Sequence, residues 1–166
     1  MFSVYRAAMV ATRVPAVGAE GWFTAEPPAL VGQRCRRCET VAFPPTNRFC
    51  PNPACDGDEG DLASHALATT GTIWSYTDAH YAPPPPYVAR TDPYEPFALA
   101  AVEVDGSGLV VLGQVVDGVT VDDLTVGQRA ELVIDTLFTE GDTAYTMWRW
   151  RPTDAGDVHA DVDGEG

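Results

Sequence analysis

From His65 onward, apolar and polar residues alternate in short runs bounded by Gly, Asp, Pro and Ser, the pattern of strands in a small barrel. Five runs are predicted. In Gly71 to Tyr81, Ile73, Ser75, Thr77 and Ala79 alternate with Trp74, Tyr76, Asp78 and His80, so each set lines one face. Phe97 to Val104 and Leu109 to Val116 form a hairpin through Asp105-Gly106-Ser107-Gly108. Arg129 to Phe138 and Thr143 to Arg151 follow, joined through Glu140-Gly141-Asp142. With a single helical turn predicted around Val121 to Leu124, between the third and fourth strands, the order is that of an OB-fold, a partly open five-stranded barrel.

Upstream the grammar differs. The first 30 residues carry a weak helical pattern (Phe2, Tyr5, Met9) and then Gly21-Trp22-Phe23, ending at the Pro27-Pro28 breaker. Between Leu30 and Leu62 short strands and turns surround Cys35, Cys38, Cys50 and Cys55. The expected fold class is mainly β, with a short helical arm over 1–29, a cysteine ribbon over 30–64, a barrel over 65–152 and an acidic disordered tail over 153–166.

Charge narrows the partners. The 166 residues carry a formal −14, and all ten basic residues are arginine. The last fourteen positions hold five acids and no Lys or Arg, which leaves nineteen acids against ten arginines elsewhere, so acidity is not confined to the tail. Such a field repels phosphate at long range, and nucleic acid is not an expected partner. No apolar run approaches the ~18 residues of a membrane span, and the start lacks a signal-length apolar segment, which predicts a cytoplasmic protein that does not enter a membrane. In that compartment paired cysteines favour metal over disulfides.

Cys35 and Cys38 form a C-x2-C pair, and eleven residues later Cys50 and Cys55 form a C-x4-C pair. Two such knuckles complete a tetrahedral thiolate shell with no open position, which predicts structural zinc rather than a catalytic ion. Ordering a ribbon this poor in apolar residues costs on the order of 1–2 kcal/mol per residue, which metal binding offsets. Iron in a small redox carrier is the chemical alternative, and two disulfides the remaining one.

Arg34, Arg36, Arg37 and Arg48 crowd the cysteines. They either contact an anion such as a coenzyme A phosphate or balance the thiolates and the following Asp56, Asp58, Glu59 and Asp61; compensation is the preferred reading. The loop from Ala82 to Pro96 contains the stiff run Pro83 to Pro86 and then Tyr87 and Tyr94, with Phe97 at its far end, which suits a partner or ligand contact. On the last strand Trp148 and Trp150 share a face with Thr146 and are expected in the core, leaving Arg149 and Arg151 exposed. His65, His80 and His159 are scattered, and no residue stands in triad or dyad relation to them, so no independent active site is expected.

Taken together, Gly21-Trp22-Phe23, Gln33-Arg34-Cys35-Arg36-Arg37-Cys38, Phe43-Pro44-Pro45, Cys50-Pro51-Asn52-Pro53-Ala54-Cys55, Gly71-Thr72-Ile73-Trp74-Ser75-Tyr76-Thr77 and Val126-Gly127 make Glu20 through Pro152 resemble the zinc-ribbon/OB-fold proteins of domain-of-unknown-function family thirty-five. The resemblance implies a rubredoxin-like ribbon carrying zinc on the four cysteines. It also implies a barrel packed on a thiolase or thiolase-like aldolase, usually as a heterotetramer or larger assembly. The implied role is non-catalytic: lodging acyl-CoA, or stabilising the catalytic subunit, for thiolytic, Claisen-type or retro-aldol chemistry in lipid or steroid metabolism. Candidate contacts to acyl-CoA or partner are His80, Tyr81, Tyr87, Tyr94, Phe97, Arg34 and Arg37. The competing classes are an OB-fold nucleic-acid module, whose stacking aromatics the charge disfavours, and the iron redox carrier. The long proline loop and the acidic tail depart from many relatives.

Overall fold

The computed structural model describes residues 12–153 apart from 86 and 90. Ten strands run in chain order: β1 (Thr12–Pro15), β2 (Phe23–Ala25), β3 (Pro28–Cys35), β4 (Val41–Ala42), β5 (Leu62–Ala66), β6 (Thr70–Ala79), β7 (Phe97–Val104), β8 (Val110–Val115), β9 (Arg129–Glu140) and β10 (Thr143–Thr153). The described residues hold no α-helix, only single 3-10 turns at Glu59–Asp61 and Val121–Asp123. The second of these sits at the expected place between the third and fourth barrel strands.

The helical arm is not supported. Wherever the lead-in is described it is strand and turn, because Pro15 removes a backbone donor and Gly18 and Gly21 adopt φ of 85° and 78°, outside the helical region. The Phe2, Tyr5, Met9 pattern and the tail beyond Thr153 lie outside the described residues.

β2, β4 and β5 assemble around β3 to form the ribbon sheet. β6, β7 and β8 form an antiparallel meander, β9 pairs β6, and β10 pairs β9; a short parallel contact of Arg149 with Gln114 and Trp150 with Val115 closes the ring of five. That closing ladder spans two residue pairs, and two indoles reinforce it. Trp148 Nε1 donates to the Leu112 carbonyl and Trp150 Nε1 to the Val111 carbonyl, each at 3.1 Å. Both rings lie over Gly113, where any Cβ would come within 2.9 Å of Trp150. Further along β10, Thr12 to Pro15 pair in parallel with Thr143 to Thr146, so β1 occupies the edge that β8 leaves free.

Trp150, Ala100, Val102 and Ile73 make the sealed centre of the core. Trp148 faces the ribbon, within ring-centroid distances of 5.7 Å from Phe43, 6.1 Å from Phe23 and 6.3 Å from Trp22. The tryptophans are therefore core, as their placement on one face implies. The arginine face is not uniformly exposed, however. Arg149 is fully buried, because it lies at the seam between β1 and β8, where its guanidinium meets the Asp117 carboxylate at 2.6 Å and the Thr136 carbonyl at 3.1 Å. Of the two arginines on that face, Arg151 reaches solvent, paired with Glu131.

A second departure concerns β6. Its register shifts between Ile73 and Ser75, inserting Trp74 as an extra residue in the ladder, so strict alternation along Ile73, Ser75, Thr77 and Ala79 does not hold.

At the β7–β8 turn, Asp105 accepts from Arg129 at 2.9 Å and from the Thr70 hydroxyl at 2.6 Å, tying the hairpin tip to β6 and β9. The Arg129 hydrogen bonds, helped by Thr70, hold the Asp105 carboxyl down at about 2. A depressed carboxylate stabilises the fold above its unfolded value, near 4, and ceases to do so as pH falls towards 2. The Asp105→Asn variant is expected to be less stable than wild type at pH 7 by no more than about 1 kcal/mol, since the pair is part-exposed, with the difference vanishing at pH 2; urea unfolding across pH 2–7 measures this. Gly113→Ala, by contrast, should lose about 1–3 kcal/mol at every pH through the clash with the two indoles.

Candidate metal centre and aromatic cleft

Each cysteine pair sits in a turn the local backbone builds. Cys35 ends β3, and its amide and carbonyl bond Thr40 and Glu39, closing the first knuckle with Glu39 at φ 63°. In the second, the Cys50 amide donates to the Gly57 carbonyl and the Cys55 amide to the Asn52 carbonyl. Gln33 ties the two halves together, exchanging hydrogen bonds with the backbone of Asn47 at 3.0 and 3.3 Å.

The four sulfurs lie within 4.8 Å of one another, with Cys38 to Cys50 at 3.4 Å and Cys35 to Cys55 at 3.9 Å. A tetrahedron with metal–sulfur bonds of about 2.3 Å places its sulfurs about 3.8 Å apart, so the donor set fits zinc. It does not fit disulfides, whose sulfurs bond at about 2.05 Å, and all four cysteines are free thiols. Hydrogen bonds with the side chain and backbone of Thr40 bring Cys38 down to about 6, whereas burial pushes Cys50 up to about 12. A cluster so divided cannot ionise fully by itself; a bound dication supplies the charge that makes four thiolates stable together.

Three of the four surrounding arginines are engaged. Arg34 pairs with Glu39 at 2.8 Å, Arg37 with Asp56 at 2.8 Å, and Arg36 donates to the Gly60 carbonyl at 3.3 Å. Arg34 and Arg37 thus sit on the ribbon surface as internal charge partners, on a different element from the aromatic candidates.

Of those aromatics, three converge. Phe97 opens β7 and packs against Tyr87 (ring centroids 6.3 Å, stacked) and Tyr94 (6.3 Å, edge-on), while the Tyr94 hydroxyl donates to the Ala79 carbonyl at 2.7 Å. The ring trio, with Ala98, Val115, Val116 and Val119, lines a cleft of about 260 Å³ between the proline loop and the turn after β8. Glu95 and Asp117 stand among its lining residues. His80 and Tyr81 do not join it: His80 Nε2 meets Asp78 at 2.7 Å, and Tyr81 is 77% exposed. Sequence reasoning passed over the residues that β8 contributes to this wall. Their signal was the unbroken apolar run Leu109 to Leu112, continuing at Val115 and Val116, in a strand that should alternate.

These features define a class, a zinc ribbon joined to an OB-fold barrel. Residues 25–60 match the rubredoxin-like zinc ribbon domain of ChsH2, and residues 64–135 match the C-terminal OB-fold domain of ChsH2. The chain is similar to a solved chain of the Ltp2-ChsH2(DUF35) aldolase, at 30% identity and a TM-score of 0.57, covering 84% of this chain and 98% of that one. It is 27% identical over 122 residues to a DUF35 domain-containing scaffold protein of Methanocaldococcus jannaschii, covering 74% of this chain and 79% of that protein. It is also 32% identical over 132 residues, 79% of its length, to a probable enoyl-CoA hydratase alpha subunit of Thermomonospora curvata, of which it spans 36%.

The chain belongs to the ChsH2/DUF35 family. It is homologous to a component of an aldolase complex, and its four-cysteine cluster forms the structural zinc site of a rubredoxin-like ribbon.

Cys50→Ser is expected to abolish zinc retention and to unfold the ribbon, exposing Trp148. Atomic absorption on the purified variant, together with a red shift in tryptophan emission, reports both effects.

Proposed function

We propose that this chain is a non-catalytic accessory subunit which, in the cytoplasm, binds a thiolase or thiolase-like aldolase and helps accommodate acyl-CoA during thiolytic, Claisen-type or retro-aldol chemistry. The observation that carries this reading is the likeness to the Ltp2-ChsH2(DUF35) aldolase chain across 98% of that chain, so that ribbon and barrel are matched together. A closed four-sulfur shell supports it too, because zinc with no open position gives the chain no Lewis acid to offer a substrate. The reaction then belongs to the partner, in a heterotetramer or larger assembly.

Within that assembly, the Tyr87, Tyr94 and Phe97 cleft is the place for the acyl end of the thioester. Its floor is aliphatic and its walls aromatic, as small-molecule sites require. Exposed Glu95 at the same cleft repels the nucleotide phosphates, so the coenzyme end lies elsewhere. His80, Tyr81, Arg34 and Arg37 are left to partner contacts, with the arginine charges already balanced within the ribbon.

Affinity-tagged chain from its native host is expected to recover a thiolase-like enzyme identified by mass spectrometry, and recovery of none sinks the reading. Sub-micromolar binding of single-stranded oligonucleotides at low salt would replace it with the nucleic-acid class. In the reconstituted complex, Phe97→Ala should raise KM for acyl-CoA by about tenfold with little change in kcat, as expected when binding is lost equally from ground and transition states.

A further inference from the structure

The outer wall of the barrel carries an apolar stripe that the cleft and the zinc site do not use. Leu112 on β8 lies directly beside Ala101 on β7, and Ala101 beside Ser75 on β6. The bulge sets Trp74 next to Ser75, and the Gly127 amide donates to the Ile73 carbonyl, bringing the turn that carries Val126 alongside. Trp74 is 62% exposed, Val126 62%, Leu112 57% and Val110 46%. Large exposed apolar side chains thus stand on β8, on β6 and in the turn before β9, bridged by half-buried Ala101 on β7, and an exposed apolar patch rimmed by polar residues marks an interaction site. Ile73 faces the core, so Trp74 beside it points outward, and the bulge keeps Ser75 on that outer face as well.

The charges around the stripe select the occupant. Glu103 flanks Val110 across the β7–β8 ladder, and exposed Asp122 lies on the 3-10 turn that packs against β6. The arginine on that side, Arg129, is already neutralised by Asp105. A second copy would bring the same acidic flanks and the same net −14, so self-association is opposed. A folded protein presenting an apolar ridge rimmed by Lys or Arg is complementary.

We infer that the Trp74–Leu112–Val126 stripe is the docking face for the catalytic subunit, with Trp74 as its anchor. The inference rests on the accessory-subunit reading and adds where the contact lies. Trp is the residue type most often found at interface hot spots, and it is held here at the centre of the stripe. Meeting a basic rim, the contact should also weaken as salt rises.

The test uses the complex of full-length chain with the thiolase-like enzyme recovered from the host. Trp74→Glu and Leu112→Gln are prepared separately, each checked for wild-type zinc content and circular dichroism, and titrated against the purified enzyme at 50 and 300 mM salt. The expected result is at least tenfold weaker binding for both variants, with wild-type affinity falling at the higher salt. Wild-type affinity in both variants overturns the assignment while leaving the assembly reading intact, whereas an enzyme that fails to bind wild type removes both. A self-dimer of wild type by analytical ultracentrifugation that either substitution dissolves gives the stripe to a second copy and likewise overturns the proposal.

Discussion

Four thiolates around one dication are the constraint on which the rest of this molecule depends. The ribbon has almost nothing else to hold it: Leu30 and Cys35 are its fully buried side chains, and the segment from Cys38 to Asp61 has only a two-residue strand and a 3-10 turn. Once clamped, it presents Phe43, with Trp22 and Phe23 from the lead-in, to Trp148 on the barrel. The same indole donates to β8 and so helps close the ring. Metal, aromatic junction and barrel seam are thus linked in series, and a disturbance at the sulfurs is felt at the strand that completes the barrel.

Electrostatics follows a local rule inside a strongly acidic whole. Each arginine described in the ribbon with an ion pair finds it within the ribbon, and those on the barrel find theirs on a neighbouring strand or in the turn that follows one. Arg149 is the extreme case. Its Nε has no hydrogen-bond partner, and its charge is buried beside Asp117, with Asp135 at 3.7 Å, at the one place where β10 changes neighbours. A buried ion pair of this kind contributes little net stability, but it penalises any register that separates the partners. It therefore specifies the seam more than it strengthens it.

Much of this was legible beforehand. Cysteine spacing located the metal site, because short loops between paired ligands leave few alternative geometries. The Asp105 to Gly108 turn delimited β7 within its observed bounds, and the tryptophans declared themselves as core through shared parity. What escaped detection depended on non-local pairing. Parity could not foresee the bulge at Trp74, nor that Arg149, outward by alternation, would be roofed by a seam between two distant strands. The extended lead-in was hidden for the same reason, since β1 is a strand only by virtue of β10. The cleft needed Phe97, Tyr87 and Val119 brought together from three segments, and no local pattern encodes that meeting.

The pairing of β1 with β10 has a temporal side. Thr12 finds its neighbour in Thr143, so the strand made earliest among those described waits for the one made last. The ribbon's contacts are short in sequence and can consolidate during synthesis, while β1 must remain unpaired until the barrel's final strand has left the ribosome. The thiolate cluster is then the natural first structure, holding the intervening chain in order while the two distant edges are brought together.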